Sequence, residues 1–261
     1  MTNKNYYKLK TSYATYYAEI WHQYPNIDKV FIGGKKRCLV FSIYLDFVDD
    51  PPNIDSFGYD EECNKKGNHL RGIGSVHLLK AGMKFIIDHY KLTSSKFILK
   101  DSSYIQCSNG RLSLPAYYSV FHGKTWYEDK FGAQPLFIPQ ETLKSQRQSL
   151  KQFIEMPTKP ATITDFIDCD IVNPRIEKLL KHEYSKSKTL KDFFRTLKEE
   201  YDCSVFKSWL PILVTRFIPD LQDTEWRITY KDGPNIEVTR LDYKPTNMIG
   251  GSDVYVAGDV S

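Results

Sequence analysis

The chain has no apolar run approaching the roughly 18 residues that cross a bilayer, so no transmembrane helix is expected. Its start, Met1-Thr2-Asn3-Lys4-Asn5-Tyr6-Tyr7, has neither the apolar core of a secretory signal nor the Met-Gly pair needed for myristoylation. The five cysteines (Cys38, Cys63, Cys107, Cys169, Cys203) form no CxxC pair and no cluster with histidine at ligand spacing, which argues against a structural zinc site. Odd in number and scattered, they are expected to be reduced thiols in a cytosol-like, cytoplasmic setting. Charge of one sign is not in excess. A net +4 over 261 residues, with no concentrated basic stripe, makes nucleic acid an unexpected partner. No internal repeat and no low-complexity block occurs.

What is present reads as an ordinary globular chain, long enough to bury a substantial core. Tyr13, Tyr16, Tyr17, Ile20 and Tyr24 fall at helical spacing, which predicts a helix over residues 1–28 that Pro25-Asn26 closes. Lys29–Ile32 and Arg37–Leu45, separated by Gly33-Gly34-Lys35-Lys36, predict a β-hairpin whose second strand is central. Residues 46–68 then read as a loop, with a short strand at most at Ser56–Tyr59. Its acids (Asp46, Asp49, Asp50, Asp55, Asp60, Glu61, Glu62) lack the D-x-D-x-D-G register of a calcium loop, so a solvated acidic surface is expected.

Ser75–Tyr90 predicts an amphipathic helix, with Val76, Leu79, Met83, Ile86, Ile87 and Tyr90 on one stripe. Lys96–Leu99 follows as a strand, with Asp101-Ser102-Ser103 at its carboxyl end, where ligands of mixed sheets tend to sit. Residues 112–132 form a compact aromatic segment. Beyond it, 140–152, 173–184, 189–201 and part of 203–217 predict helices. Glu225–Tyr230 and Asn235–Leu241 predict a second hairpin around Lys231-Asp232-Gly233-Pro234. The tail from Gly250 is small and polar.

The most informative stretch is His69-Leu70-Arg71-Gly72-Ile73-Gly74-Ser75. Two glycines one residue apart, after a basic residue and at a helix start, can aim several N–H groups and the helix dipole at one anion. Weaker patterns surround it. Gly123-Lys124-Thr125 lacks the first glycine of a P-loop. His77, His89 and His122 could make a base or metal set only if folding gathers them, and Cys107 with His122 has no local phrase of a thiol hydrolase.

The turn resembles the [Gln/Arg]-x-x-Gly-x-[Gly/Ala] acetyl-CoA loop of the GNAT acyltransferases, with His69 where that family usually has Gln or Arg. Trp126-Tyr127-Glu128-Asp129-Lys130-Phe131-Gly132 is similar to the family's Phe-Tyr-x-x-x-Gly-Phe phrase, with the last two residues exchanged. The resemblance spans about residues 29–133. It implies an α/β (α+β) domain over 1–140, with a mixed central sheet flanked by helices, followed by a helical and β-hairpin region over 141–261. It implies acetyl-CoA as co-substrate, held around His69, Leu70, Arg71, Gly72, Ile73, Gly74 and Ser75. It also implies Tyr127 as the acid that returns a proton to the CoA thiolate, and Glu61 or Glu62, by position alone, as base, with Glu62 the one chosen. The acceptor would be an amine, small or on a protein, and the acidic loop would favour a cationic one.

Gly123–Tyr127, with Lys100-Asp101-Ser102-Ser103 before it, is also similar to segments of uncharacterised proteins of nucleocytoplasmic large DNA viruses, as is the lysine-, tyrosine- and asparagine-rich composition. That likeness implies a second possibility, a non-enzymatic structural or interaction protein that keeps a degenerate version of the fold. Its place would then be the host cytoplasm or the virion.

Overall fold

The structure is a computed structural model and describes residues 4–23, 26–47, 50–58, 61–63, 73–221 and 224–245. The chain is mixed α+β. It runs β1 (Lys4–Lys10), β2 (Thr15–Gln23), β3 (Ile27–Gly33), β4 (Arg37–Tyr44), β5 (Asn53–Phe57), α1 (Ile73–Tyr90), β6 (Lys96–Lys100), β7 (Tyr104–Cys107) and β8 (Gly110–Ser113). It continues through α2 (Leu114–His122), α3 (Trp126–Phe131), β9 (Gln134–Pro135), α4 (Gln140–Ile154), α5 (Pro174–Lys186), α6 (Leu190–Glu200), α7 (Leu210–Phe217), β10 (Glu225–Thr229) and β11 (Glu237–Leu241). Nine strands form one sheet in the order β11-β1-β2-β3-β4-β5-β6-β10-β9, and β7 pairs with β8. Among the described residues no helix is long and apolar enough to cross a membrane.

By proximity the chain divides into two units: Met1–Lys100, Lys130–Ala133 and Trp226–Ser261; and Asp101–Asp129 with Gln134–Glu225. The chain therefore passes between them four times, rather than once near residue 140.

In the first unit β1 to β5 form an antiparallel meander. The expected amino-terminal helix is instead β1 and β2. Cross-strand pairing decides this. Tyr16, Ala18 and Ile20 are fully buried, and Tyr7 and Leu9 oppose Ala18 and Tyr16 across the ladder. Tyrosine favours such a pleated surface, and Thr11 closes the turn by accepting from the N–H groups of Tyr13 and Ala14. The β3–β4 hairpin, α1 and β6 lie where the sequence places them.

α1 covers one face of the sheet. Gly82 lets it approach closely, because a Cβ there would sit 2.4 Å from Leu39 Cδ2 and 3.1 Å from Phe41 Cε2. Phe41, Phe85, Phe97 and Ile86 are fully buried in this layer, each contributing about 1.5–3 kcal/mol.

Three further expectations are corrected. The segment read as a loop contains the strand Asn53–Phe57, paired with β4 on one side. β10 and β11 do not form a hairpin. β11 adds to β1 at one edge of the sheet, whereas β10 lies beside β6. The Asp-Gly turn signal was real, since Asp232 has a positive φ, but it serves a chain crossing the sheet rather than a tight reversal. Finally, Cys38 pairs with Cys63 and Cys107 with Cys203. Four of the five cysteines are thus disulfide-bonded rather than reduced, and the argument from free thiols to a reducing compartment falls.

The second unit is a helical cluster around Phe193, Phe194, Phe206, Trp209 and Leu210. Proline lies in the first turns of α2, α5 and α7, where its missing N–H costs nothing. Gly123 ends α2 in the left-handed conformation, and Thr125 with Glu128 then forms a capping box opening α3. Gly123-Lys124-Thr125 is thereby a helix-to-helix turn.

Candidate functional site

The candidate site is the crossover β5–α1–β6 of the first unit. β5 and β6 run parallel, sharing only the pairs Asn53–Ile98 and Ile54–Leu99, with a further bond from Ile98 N–H to the Pro52 carbonyl. The parallel ladder ends at Ile54. β5 continues to Phe57 on β4, through Ser56–Val40 and Phe57–Leu39, while β6 ends at Lys100. The β6-facing edge of Asp55–Phe57 therefore leaves the parallel ladder at the carboxyl ends of the strands. α1 bridges them and starts at Ile73, with no acid in its first turn to offset the positive end of its dipole.

Of the expected cofactor loop, His69, Leu70, Arg71 and Gly72 lie outside the described residues. Ile73, Gly74 and Ser75 are the first residues of α1. Ile73 is exposed, Gly74 buried and Ser75 half-buried. His77 sits one turn further along, its Nδ1 2.9 Å from the Tyr16 hydroxyl and its ring 4.5 Å from that of Tyr13.

Glu62 lies in a short 3-10 turn, Glu61–Cys63. Its carbonyl accepts from the N–H groups of Lys35 and Lys36, and its carboxylate lies 2.5 Å from Lys36 Nζ. With the Cys38–Cys63 bond, these contacts clamp the turn onto the β3–β4 connection. Asp46 and Asp55 are also engaged: Asp46 accepts from Asn26, and Asp55 from Lys29 (2.6 Å) and Ser42 (2.5 Å).

Tyr127, on α3 of the second unit, is only 4% exposed and packs edge-on against Trp126 at 5.0 Å. Burial, reinforced by the negative charge of Asp101, holds its hydroxyl well above the usual 10, so it stays protonated.

Asp101 is the residue that motif reading passed over, although its place at the end of β6 was a usable signal. It is 2% exposed, and its Oδ1 accepts from the Ser103 N–H (3.2 Å) and Oγ (2.5 Å). Oδ2 is buried without a hydrogen bond. Burial raises its pKa to about 6 against the opposing pull of Ser103, with Glu128 adding a smaller upward push. A buried carboxyl poised near neutrality is suited to proton transfer.

The other combinations dissolve. His77 and His89 lie 12 residues apart on one helix, about 18 Å along its axis. His122 stacks on Tyr118 at 4.0 Å in the second unit, and Cys107 is held in a disulfide. Cys107, Asp202 and Cys203 converge, but the cysteines are bonded to each other and Asp202 caps the turn Cys203–Val205.

No protein-family model, curated protein or solved structure matches this chain.

Proposed function

We propose that the chain is an acyl-CoA-dependent N-acyltransferase, moving an acetyl group from acetyl-CoA to an amine by direct attack. The observation that supports this most is the β5–α1–β6 crossover, whose parallel ladder has only two pairs and whose helix carries no acid in its first turn. A thioester cofactor needs a slot between strands, open backbone groups along its pantetheine arm and a helix end for its pyrophosphate. In this reading the residues from His69 to Ser75 receive the pyrophosphate. An unprotonated amine needs no covalent intermediate once it is positioned against the thioester.

The acceptor is left open. Asp46, Asp55 and Glu62 are matched by the chain's own lysines and polar groups, which weakens their case as a cation trap.

The test is thermal unfolding with and without millimolar acetyl-CoA. Cofactor at about 100 times its Kd adds roughly 2.7 kcal/mol to the folded state. The melting temperature should rise, and Gly72→Glu should abolish the rise. An unchanged melting temperature in the wild type sinks the acyltransferase reading. The burial of Tyr127 and the pairing of Glu62 favour the second reading in that event, a structural or interaction protein.

A further inference from the structure

A chain of side-chain hydrogen bonds crosses the first unit from its edge strand to the end of α1. Arg240 NH2 (β11) lies 3.0 Å from Asn5 Oδ1 (β1), and Asn5 Nδ2 lies 2.8 Å from His22 Nε2 (β2). His22 Nδ1 lies 2.8 Å from Asp28 Oδ1 (β3), and the Tyr90 hydroxyl (α1) lies 2.8 Å from Asp28 Oδ2. Asp28 is 3% exposed and His22 side-chain exposure is 40%, so one end of the chain is sealed and the histidine can still exchange protons with solvent.

The direction of every bond follows from its ends. Tyr90 is held above its usual pKa by burial and by Asp28, so its hydroxyl stays a donor. The Asp28 carboxylate is an acceptor only, and it takes one bond on each oxygen. His22 must then carry its hydrogen on Nδ1, which leaves Nε2 as a lone pair. Asn5 must present its NH2 to that lone pair, and its carbonyl oxygen is thereby aimed at the Arg240 guanidinium. Reversing any one bond sets donor against donor or acceptor against acceptor.

From this we infer that the path is a proton-set latch on β11, closed while His22 is neutral and opened when Nε2 gains a proton. With Nε2–H in place, the NH2 of Asn5 faces a donor. Asn5 can turn over to offer its oxygen to His22, but its NH2 then faces Arg240, and the tie between β1 and β11 is lost either way. The charged and titratable groups around His22 are Asp28 of β3, Arg240 of β11, and His89 and Tyr90 of α1.

β11 depends on such ties more than the inner strands do. Glu237 to Arg240 are exposed, so little apolar burial holds the strand. Its remaining side-chain tie to β1 is Lys10–Glu237 at 3.2 Å, between two groups mostly in water. The device concerns the fold's edge and does not depend on the acyl-transfer proposal.

Two measurements on the full chain test it. Long-range nitrogen–proton NMR of the His22 ring at pH 7.5 should show the Nδ1–H tautomer. The Nε2–H tautomer there overturns the latch without recourse to any variant. Hydrogen exchange should show the protection factors of β11 amides, taken relative to those of β3, falling about tenfold between pH 7.5 and pH 5. A constant ratio overturns it. Asn5→Asp replaces the amide with an acceptor on both sides, so its β11 protection should hold or rise on acidification. The wild-type response persisting in that variant would show that Asn5 does not transmit the proton.

Discussion

Arg37 NH2 donates to Glu19 Oε2 at 2.7 Å, and the two residues join β4 to β2 over the intervening β3. Glu19 is 1% exposed and Arg37 lies flat over Trp21 (4.6 Å) and Phe31 (4.4 Å). Lys4 approaches the same carboxylate at 3.7 Å. Removing one partner of a buried pair strands the other charge and typically costs about 3–5 kcal/mol. Glu19→Leu should therefore destabilise strongly, with two cations left over aromatic rings. The double variant Glu19→Leu/Arg37→Leu should be distinctly less harmful, since it leaves no uncompensated charge from the pair. Urea midpoints of the two single variants and the double variant give the cycle. Additive losses would show that the pair is uncoupled.

Asp101 makes stability depend on pH in the less usual direction for a carboxyl. Its folded pKa, about 6, lies above its unfolded 3.8, so the folded state holds the proton more tightly. The stabilising contribution is full below 3.8 and is lost as pH rises through 6. At pH 7 the buried charge costs about 1–3 kcal/mol by linkage. Asp101→Asn keeps the acceptor for Ser103 and carries no charge. It should raise the melting temperature at pH 7, with the gain shrinking towards pH 4. A loss of stability at pH 7 would mean that Asp101 is held by a charge partner.

Wherever periodicity and local chemistry agree, the fold is readable from residues. Residues 75–90 show it best, since the stripe through Leu79, Met83 and Ile86 is the buried face of α1. The amino-terminal strands were misread because tyrosines at 13, 16, 17 and 24, with Ile20, fit a helix as well as a strand. Pairing with β1 on one side and β3 on the other resolves that ambiguity in favour of the sheet. Long-range partners are likewise what local signals cannot supply. Nothing near Glu237 points to β1, more than 220 residues earlier, and cysteine spacing does not reveal that Cys107 meets Cys203. For the candidate site, the glycine pair was conspicuous while Asp101 was not. Its chemistry comes from burial, which a single aspartate in a sequence does not advertise.

His89 gives the opposite sign from Asp101. Burial holds its imidazole below the usual 6.5, outweighing the attraction of Asp28, and it lies 5.3 Å from the Phe85 ring and 5.1 Å from Tyr7. The folded state prefers the neutral ring. Its contribution is present above the unfolded value of 6.5 and is lost as pH falls through and below it. His89→Phe keeps the ring packing and removes the titration. The variant should lose less stability than the wild type between pH 7.5 and pH 5, compared by denaturant midpoints. Equal losses would place the acid sensitivity elsewhere, with His22 the next group to test.

The two disulfides should differ in worth, because each restrains a different length of unfolded chain. Cys38–Cys63 spans 25 residues and Cys107–Cys203 spans 96. Loop-closure entropy then assigns about 3.5 kcal/mol to the first and about 4.7 kcal/mol to the second, with native packing free to reduce either. The second also fastens the β7–β8 hairpin to the segment leading into α7, where Ser108 and Lys207 add bonds to Asp202 and Asn109 across the same junction. Cys107→Ser should accordingly destabilise more than Cys38→Ser, and a reductant should erase both differences. Peptide mapping without reductant should recover Cys38 joined to Cys63 and Cys107 joined to Cys203. Free thiols at all four positions in protein folded under oxidising conditions would remove both bonds from the account.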